Sequence, residues 1–252
     1  MLSVSDVTIR FGGIVALDGA SFAVAEREIC ALIGPNGAGK TTLFNCISGL
    51  YQPTGGSIRL GDVELVGQPA FRRAELGIAR TFQNLGLFGS STVLTNVLVG
   101  AHHLARSGLI AGGLRLPKTR ASERQLRRAA FSALERLGLS DYATMSVGEL
   151  PFGILKRVEL ARALVSGPRL LLVDEPAAGL THSEALELGE SLRQIRDEFG
   201  VSVLIVEHHM ALVMNISEHI VVLNFGRVVA DGAPSDVRDD PAVIEAYLGT
   251  DS

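Results

Sequence analysis

The chain has 252 residues, 47% of them hydrophobic and 20% charged, so it is long enough to bury a sizeable core. Its formal net charge of −4 provides no overall positive field, which argues against nucleic acid as a partner. Cys30 and Cys46 lack a CxxC spacing and are expected to be ordinary buried thiols of a reducing compartment.

The hydrophobic runs are short. Residues 1–6 lack the basic and long apolar regions of a secretory signal. No stretch reaches the ~18 uninterrupted apolar residues of a membrane-spanning helix, and the longest apolar runs have the length of strands. We therefore expect a soluble or peripheral protein, which would have to dock on another component to act at a membrane.

The first part of the chain is rich in β-favouring runs, separated by glycine turns at residues 12–13, 55–56 and 61–62. The predicted strands cover residues 4–10, 21–25, 28–33 and 57–60.

A glycine-rich motif follows the third predicted strand. Residues 34–41 fit G-x-x-x-x-G-K-[ST], the phosphate-binding loop of nucleotide triphosphatases. The glycines let backbone N–H groups curl around phosphate oxygens. Lys40 offers a positive charge to the β- and γ-phosphates, and the Thr41 hydroxyl is a hard oxygen ligand for Mg²⁺. Residues 42–48 are predicted to form a helix whose N-terminal end faces the phosphates.

The middle of the chain, from about residue 85 to 164, has a helical pattern. Just before it lies Gln83, whose amide can ligate a hard metal ion or position water; taken alone this signal is weak. Ser122 and Gln125 resemble a capping box that opens an amphipathic helix ending at Gly138. The apolar face of this helix is formed by Leu126, Ala130, Ala133, Leu134 and Leu137. Its arginines are interpreted as a solvated face rather than a nucleic-acid patch.

The last third returns to an α/β pattern. Residues 170–174 are predicted to form a buried strand that ends in Asp174 and Glu175, at the sheet edge where ligands bind in α/β folds. Asp174 can hold Mg²⁺ beside Thr41, and Glu175 can orient or deprotonate an attacking water. The alternative, an acidic pair in an exposed turn, is disfavoured because a phosphate loop lies upstream.

A second strand in this region also ends in a polar residue. Residues 201–207 are predicted to deliver His208, which can donate a hydrogen bond to a γ-phosphate; a surface histidine is an equally open reading. Between the two strands, Thr181 and Glu184 form a second capping-box candidate. Strands are also predicted at residues 219–223 and 227–230.

In order and spacing, these motifs resemble those of the ATP-binding subunits of ABC transporters. The matching motifs are Walker A at residues 34–41, the Q-loop at Gln83, a signature region at 150–154, Walker B at 170–174 with Glu175, and the switch histidine His208. The resemblance implies an α/β P-loop core with an N-terminal antiparallel β region and an inserted helical subdomain. It implies one nucleotide-binding domain, with a catalytic lobe at 1–84 and 165–252 and a helical subdomain at 85–164.

A narrower resemblance is carried by residues 10–13, 174–180, 206–208 and 246–249. These look like the branched-chain amino acid importer ATPases, and more closely like the longer of that system's two ATPase subunits. The resemblance implies an ATPase that powers import of branched-chain or related amino acids. The competing readings are the ATPase of a lipid or lipopolysaccharide exporter and a soluble ABC ATPase of translation or DNA repair.

The resemblance also implies a role for each site residue. Phe11 would stack on adenine, Glu175 and His208 would act in catalysis, and Mg²⁺ would be held by Thr41, Gln83 and Asp174. The remaining contacts to ATP would come from the phosphate loop and the Q-loop: Gly34, Pro35, Asn36, Gly37, Ala38, Gly39, Lys40, Thr41, Thr42 and Gln83.

Family resemblance further implies a head-to-tail dimer in which the signature of one subunit faces the ATP of the other. Here the signature is Leu150, Pro151, Phe152, Gly153 and Ile154. Pro151 replaces the usual serine and Ile154 the usual glutamine, while Thr181 and His209 also depart from the common pattern. The Gly153 amide and a helix N-terminus at residues 154–157 would remain to face phosphate.

The implied partners are two membrane permease subunits, a second ATPase subunit in a heterodimer or a second copy in a homodimer, and a solute-binding protein. The implied location is cytoplasmic, peripheral on the inner face of the cell membrane.

Overall fold

The computed structural model describes the backbone of residues 1–81, 85–101 and 117–248, and the side chains of all of these except residues 117–122 and 248. The chain divides into two compact units. Unit 1 comprises Met1–Arg80 and Arg169–Ser252, and unit 2 comprises Thr81–Pro168. Gln83, predicted to contact nucleotide and Mg²⁺, lies outside the described residues.

All the strands that the structure describes belong to unit 1. In chain order they are β1 (Leu2–Phe11), β2 (Ile14–Val24), β3 (Ile29–Ile33), β4 (Gly55–Leu60), β5 (Val63–Glu64), β6 (Ile78–Arg80), β7 (Leu170–Asp174), β8 (Ser202–Val206), β9 (His219–Asn224) and β10 (Arg227–Gly232). The helices are α1 (Lys40–Ile47), α2 (Arg72–Glu75), α3 (Val93–Gly100), α4 (Pro117–Arg136), α5 (Phe152–Leu164), α6 (His182–Phe199), α7 (Met210–Ile216), α8 (Pro234–Arg238) and α9 (Pro241–Leu248).

A six-stranded sheet carries the predicted site. Its strand order is β10-β9-β3-β8-β7-β6, and every neighbouring pair is parallel except β9 with β10. The central strands β3, β7 and β8 are buried at every residue, which is why their sequences are nearly continuous apolar runs. Because these strands are parallel, their carboxyl ends lie at the same edge of the sheet. The phosphate loop after β3, Glu175 after β7 and Glu207 after β8 are therefore all located at this edge.

A four-stranded antiparallel sheet, ordered β2-β1-β4-β5, lies in the first part of the chain. Its buried side chains join α1 and the six-stranded sheet in one hydrophobic core, which includes Leu17, Phe44, Ile58 and Leu204. The strands are longer than the sequence predicted, since β1 begins at Leu2 and β2 at Ile14. Strand β6 was not predicted, because three residues are too few to show a period.

Unit 2 is helical where the structure describes it. Helix α3 packs against α4 and α5, and the buried face of α4 includes the predicted Ala130, Ala133 and Leu134. The prediction that this helix starts at Ser122 is wrong, because α4 runs through Ser122 from Pro117. Proline suits the first position of a helix, since its missing N–H has no intrahelical partner there.

Helix α6 begins as predicted. Thr181 is its N-cap, and the complete capping box joins the Thr181 side chain to the Glu184 backbone N–H and the Glu184 carboxylate to the Thr181 N–H. The helix ends at Phe199, and its C-cap Gly200 has the left-handed conformation that glycine adopts without strain. The Thr181 cap, seven residues after β7 ends at Asp174, therefore fixes where α6 begins.

Both cysteines are buried free thiols, as expected. Burial raises the pKa of Cys46 to about 11, and burial with the charge of Glu28 raises that of Cys30 well above its ordinary value. Neither is therefore a reactive thiolate near neutral pH.

The two longest described helices, α4 and α6, have 20 and 18 residues and carry many charged side chains. Within the described part of the chain, no helix combines the length and apolarity needed to cross a bilayer. The predicted α/β class, with an N-terminal antiparallel sheet and a helical segment between the two halves of the core, is confirmed.

Candidate active site

The phosphate loop connects the end of β3 to the start of α1, and its backbone requires glycine at two positions. Gly34 has φ +146°, and a Cβ there would lie 2.0 Å from the Leu223 carbonyl oxygen. Gly39, the N-cap of α1, has φ +104°, and a Cβ there would lie 2.6 Å from the Ala16 carbonyl oxygen. No side chain can replace either hydrogen without moving the backbone, so the curl of the loop is fixed by these glycines.

Lys40 lies against this loop. Its Nζ donates hydrogen bonds to the carbonyl oxygens of Gly34 at 2.6 Å and Pro35 at 2.9 Å. Burial lowers the pKa of Lys40, and the negative charge of Glu175 acts in the opposite direction. The ammonium and the Glu175 carboxylate are therefore close enough to interact electrostatically, although 135 residues of sequence separate them.

Asp174 ends β7 and is held by an arginine that the sequence analysis did not single out. Arg80, the last residue of β6, donates from Nη2 to Asp174 Oδ2 at 2.9 Å. Its Nη1 donates to Asn45 Oδ1 and to Ser48 Oγ, both at 2.8 Å. One guanidinium thus joins β6, β7 and the helix that follows the phosphate loop.

The donor set fits a magnesium ion. Thr41 and Asp174 supply the hard oxygen atoms that Mg²⁺ prefers, and Mg²⁺ commonly takes one or two protein ligands and completes its shell with phosphate oxygens and water. Within the described residues, no group of three or more His, Cys, Asp or Glu side chains is arranged to hold a metal ion.

Glu175 has a strained backbone. Its φ is +44°, a left-handed value that is uncommon for residues other than glycine. The Glu175 N–H donates to the Val206 carbonyl oxygen at 2.9 Å, and the Ala178 N–H donates back to the Glu175 carbonyl oxygen at 3.2 Å. Such strain persists where the surrounding contacts hold it, and it is concentrated at functional sites.

The loop after β8 contains a second residue that the sequence analysis left without a role. Glu207 is 1% exposed and accepts three backbone hydrogen bonds. Its Oε1 accepts from Ala177 N–H at 2.9 Å, and its Oε2 from His208 N–H at 2.6 Å and His209 N–H at 3.0 Å. The His208 side chain is 67% exposed, with Nδ1 3.5 Å from Glu207 Oε2.

His209 is a helix cap. It is the N-cap of α7, and its Nδ1 accepts a hydrogen bond from Leu212 N–H at 3.2 Å. Its ring centroid lies 5.4 Å from that of His182, the first residue of α6. The departure from the common aspartate at this position therefore keeps a side chain that can cap the helix.

Phe11, the predicted adenine contact, is paired with a second aromatic residue. Phe11 and Tyr51 pack edge to face with ring centroids 5.3 Å apart, and the two residues are 45% and 40% exposed. Tyr51 was missed because nothing in its local sequence distinguishes it from a core aromatic. The exposed Phe11 ring leaves apolar surface available for stacking.

The signature segment belongs to unit 2. Leu150 is buried and Pro151 is the N-cap of α5, so the helix begins at Phe152 and not at residue 154 as expected. The first backbone hydrogen bond of the helix runs from Leu155 N–H to the Pro151 carbonyl oxygen. The N–H groups of Phe152, Gly153 and Ile154 thus precede the first intrahelical bond and have no partner within the helix.

The chain matches two sequence families. Residues 17–178 match the family described as ABC transporter, and residues 227–252 match the family described as branched-chain amino acid ATP-binding cassette transporter. Among curated proteins, the chain is 47% identical over 249 residues to the high-affinity branched-chain amino acid transport ATP-binding protein BraF of Pseudomonas aeruginosa, covering 99% of this chain and 98% of that protein. It is 43% identical to the corresponding protein LivG of Escherichia coli K12, with the same coverage.

More distant relatives include the phosphonates import ATP-binding protein PhnC of Rhizobium johnstonii, which is 37% identical and covers 100% of this chain and 87% of that protein. Among solved structures, a nucleotide-free ATP-binding cassette from an ABC transporter has a TM-score of 0.85 at 32% identity and covers 98% of each chain. The ADP conformation of a cassette of an ABC transporter has a TM-score of 0.86 at 32% identity and covers 99% of this chain and 98% of that one.

Proposed function

This chain belongs to the ABC transporter family, and on that premise we propose that it is the ATP-hydrolysing subunit of an importer of branched-chain or related amino acids. The predicted resemblance to the ATPases of the branched-chain amino acid importers is confirmed. BraF and LivG are named for branched-chain amino acid transport, and residues 227–252 match a family with the same description, which supports this substrate class. PhnC is named for phosphonate import, so its name does not support it.

One observation supports hydrolysis at this chain's own site most strongly. The strained Glu175 follows the Walker B strand and interacts electrostatically with Lys40 of the phosphate loop. The ammonium that would bind phosphate and the carboxylate that would activate water therefore belong to the same site. Lys40 and the loop N–H groups would bind the β- and γ-phosphates. Glu175 would accept a proton from the attacking water. The water oxygen would form a bond to the γ-phosphorus while the bond between the γ-phosphorus and the ADP oxygen breaks.

The other proposed roles follow from position. Thr41 and Asp174 would hold Mg²⁺ together with Gln83, and the ion would supply charge neutralisation at the phosphates when bound. His208 would donate a hydrogen bond to the γ-phosphate, whose charge rises during transfer. Phe11 would stack on adenine. Unit 1 would form the catalytic lobe, and unit 2 would present the signature to a partner's ATP.

The proposed assembly contains two membrane permease subunits, a second ATPase subunit and a solute-binding protein. The chain would work on the cytoplasmic face of the membrane, docked on the permeases. The net charge of −4 and the BraF and LivG names support this assembly over a nucleic-acid partner.

The test is uptake by the assembled transporter. We would purify the complex with its membrane subunits, reconstitute it in liposomes with internal MgATP, and measure uptake of radiolabelled leucine, isoleucine and valine presented with the binding protein. We expect uptake that requires ATP and is lost with Lys40→Ala. Uptake of a phosphonate in place of these amino acids, export of lipid, or an ATPase that never associates with permeases would contradict the proposal.

A further inference from the structure

The loops after β7 and β8 carry the two proposed catalytic side chains, and the two strands are neighbours. Asp174 is paired with Val206 in the parallel ladder, so Glu175 and Glu207 leave the sheet side by side. Glu175 has the left-handed φ of +44°, and the chain turns directly into Pro176 and Ala177. A strained turn of this kind needs contacts beyond its own residues to hold it in place.

The Glu207 carboxylate supplies such a contact. Oε1 is bonded to the Ala177 N–H on the β7 side, and Oε2 to the His208 and His209 N–H groups on its own side. The carboxylate is the only group of the described residues that accepts hydrogen bonds from both loops. Its two oxygens therefore divide their bonds between the turn that presents Glu175 and the loop that presents His208.

The bonds are also of a strong type. Hydrogen bonds between backbone N–H groups and an ionised carboxylate are shorter and roughly twice as strong as those between neutral groups. Within the described residues, no lysine or arginine forms an ion pair with Glu207, so backbone N–H groups provide most of the compensation for its burial. Removing the carboxylate would leave the buried Ala177 N–H and the part-buried N–H groups of His208 and His209 without their acceptor. The buried Ala177 donor in particular could regain a partner only if its loop moved.

We propose that Glu207 is a positioning residue that fixes the Glu175 turn relative to His208. It would keep a constant distance between the Glu175 carboxylate, which accepts the proton, and the His208 side chain, which donates a hydrogen bond to the γ-phosphate. This inference rests on the roles proposed above for Glu175 and His208. Glu207 itself is buried, and the proposal gives it no contact with a reacting atom. Its loss would change turnover more than ATP affinity, because the phosphate loop binds ATP through separate contacts.

The experiment compares Glu207→Gln and Glu207→Leu with the wild-type chain. Glutamine has nearly the same shape but only one acceptor oxygen, so it can serve one loop and not both. Leucine serves neither. In the assembled transporter, we expect kcat to fall about tenfold for Gln and about 100-fold for Leu, since a misplacement of ~1 Å can cost about 100-fold. ATP affinity of the purified chain, measured by calorimetry, should stay within about threefold of wild type.

Glu64→Gln is the matched control. The Glu64 carboxylate also accepts backbone hydrogen bonds, from Ile58 at 3.1 Å and Val66 at 3.0 Å, but in the four-stranded antiparallel sheet. This variant should lose stability and keep kcat. Should Glu207→Leu not fold, Glu207→Gln alone decides the question, because its loss is predicted to fall on kcat and not on affinity.

Three results would overturn the inference: wild-type kcat in the Glu207 variants, an equal loss of kcat and ATP affinity, or the same kcat loss in Glu64→Gln. A parallel Glu175→Gln variant separates this failure from a failure of the proposed function. If Glu175→Gln abolishes hydrolysis while the Glu207 variants retain it, only the positioning role is wrong.

Discussion

The two segments proposed to meet nucleotide are built differently. The phosphate loop of unit 1 is fixed by glycines at positions where a Cβ would meet a neighbouring carbonyl oxygen, and by Lys40, which donates to two carbonyl oxygens of the same loop. The signature segment of unit 2 offers a proline at its N-cap and three backbone N–H groups. On the proposed roles, this chain's own ATP site would be formed by a lysine, a carboxylate and a histidine side chain, whereas the site that its signature would complete for a partner would rely on backbone donors.

Glu175→Gln should produce the largest effect, because it removes the proposed base and keeps the size of the side chain. We expect turnover of the transporter complex to fall by ~10²- to 10⁴-fold, the range typical for a positioned base. ATP affinity measured by calorimetry should be retained. Glu187→Gln, on an exposed face of α6, serves as the control and should leave turnover unchanged. Near-normal hydrolysis by Glu175→Gln would contradict the catalytic role proposed for Glu175, and with it the comparison between this chain's own ATP site and the partner's.

Lys40→Ala tests the phosphate loop itself. A hydrogen bond to a charged group contributes about 1.5–3 kcal/mol, so loss of the ammonium should weaken ATP binding by roughly 10- to 100-fold. Titration calorimetry of the purified chain would measure this change. Arg59→Ala, which removes an exposed positive charge from β4, should bind ATP as the wild type does. Equal affinities of the two variants would refute the assignment of the loop.

Pro151→Ser addresses the other region. In a complex that also carries Glu175→Gln, the residual hydrolysis would come from the partner's site, which this chain's signature is proposed to complete. A serine hydroxyl restores a donor for the developing charge, and we expect the residual rate to rise about tenfold or more. Pro151→Ala restores the backbone N–H without the hydroxyl and should recover less. If neither change raises the rate, the N–H groups of residues 152–154 already suffice.

Thr181→Ala should have the smallest effect. It removes the capping box of α6, the helix that follows the acidic end of β7, and N-cap losses typically cost about 1 kcal/mol. The midpoint of denaturant unfolding should decrease slightly while kcat changes little. Ser183→Ala, one residue into the first turn, should leave the midpoint unchanged. A large loss of kcat would show that Thr181 contributes to the site and not only to the helix.

Features that depend on residues close together in the sequence could be predicted from it. The phosphate loop, the acidic end of β7 and the Thr181 cap each depend on side chains within a few positions of one another. Arg80 and Glu207 could not be found in this way, because Arg80 meets Asp174 94 positions away and Glu207 meets Ala177 30 positions away. Strand pairing creates those contacts, and local spacing carries no signal of them. The start of α4 was predicted wrongly because serine at position 122 is a typical N-cap residue, whereas proline at position 117 is typical of loops.

The central claim is that hydrolysis depends on this chain's own site more than on the site its signature completes. The most direct test uses two heteromeric complexes, one with Glu175→Gln in this chain and the other with the matching change in the partner ATPase. The account predicts that the first complex loses nearly all ATP hydrolysis and the second keeps much of it. Equal losses in the two complexes, or a working transporter that contains this chain as its only ATPase, would contradict the claim.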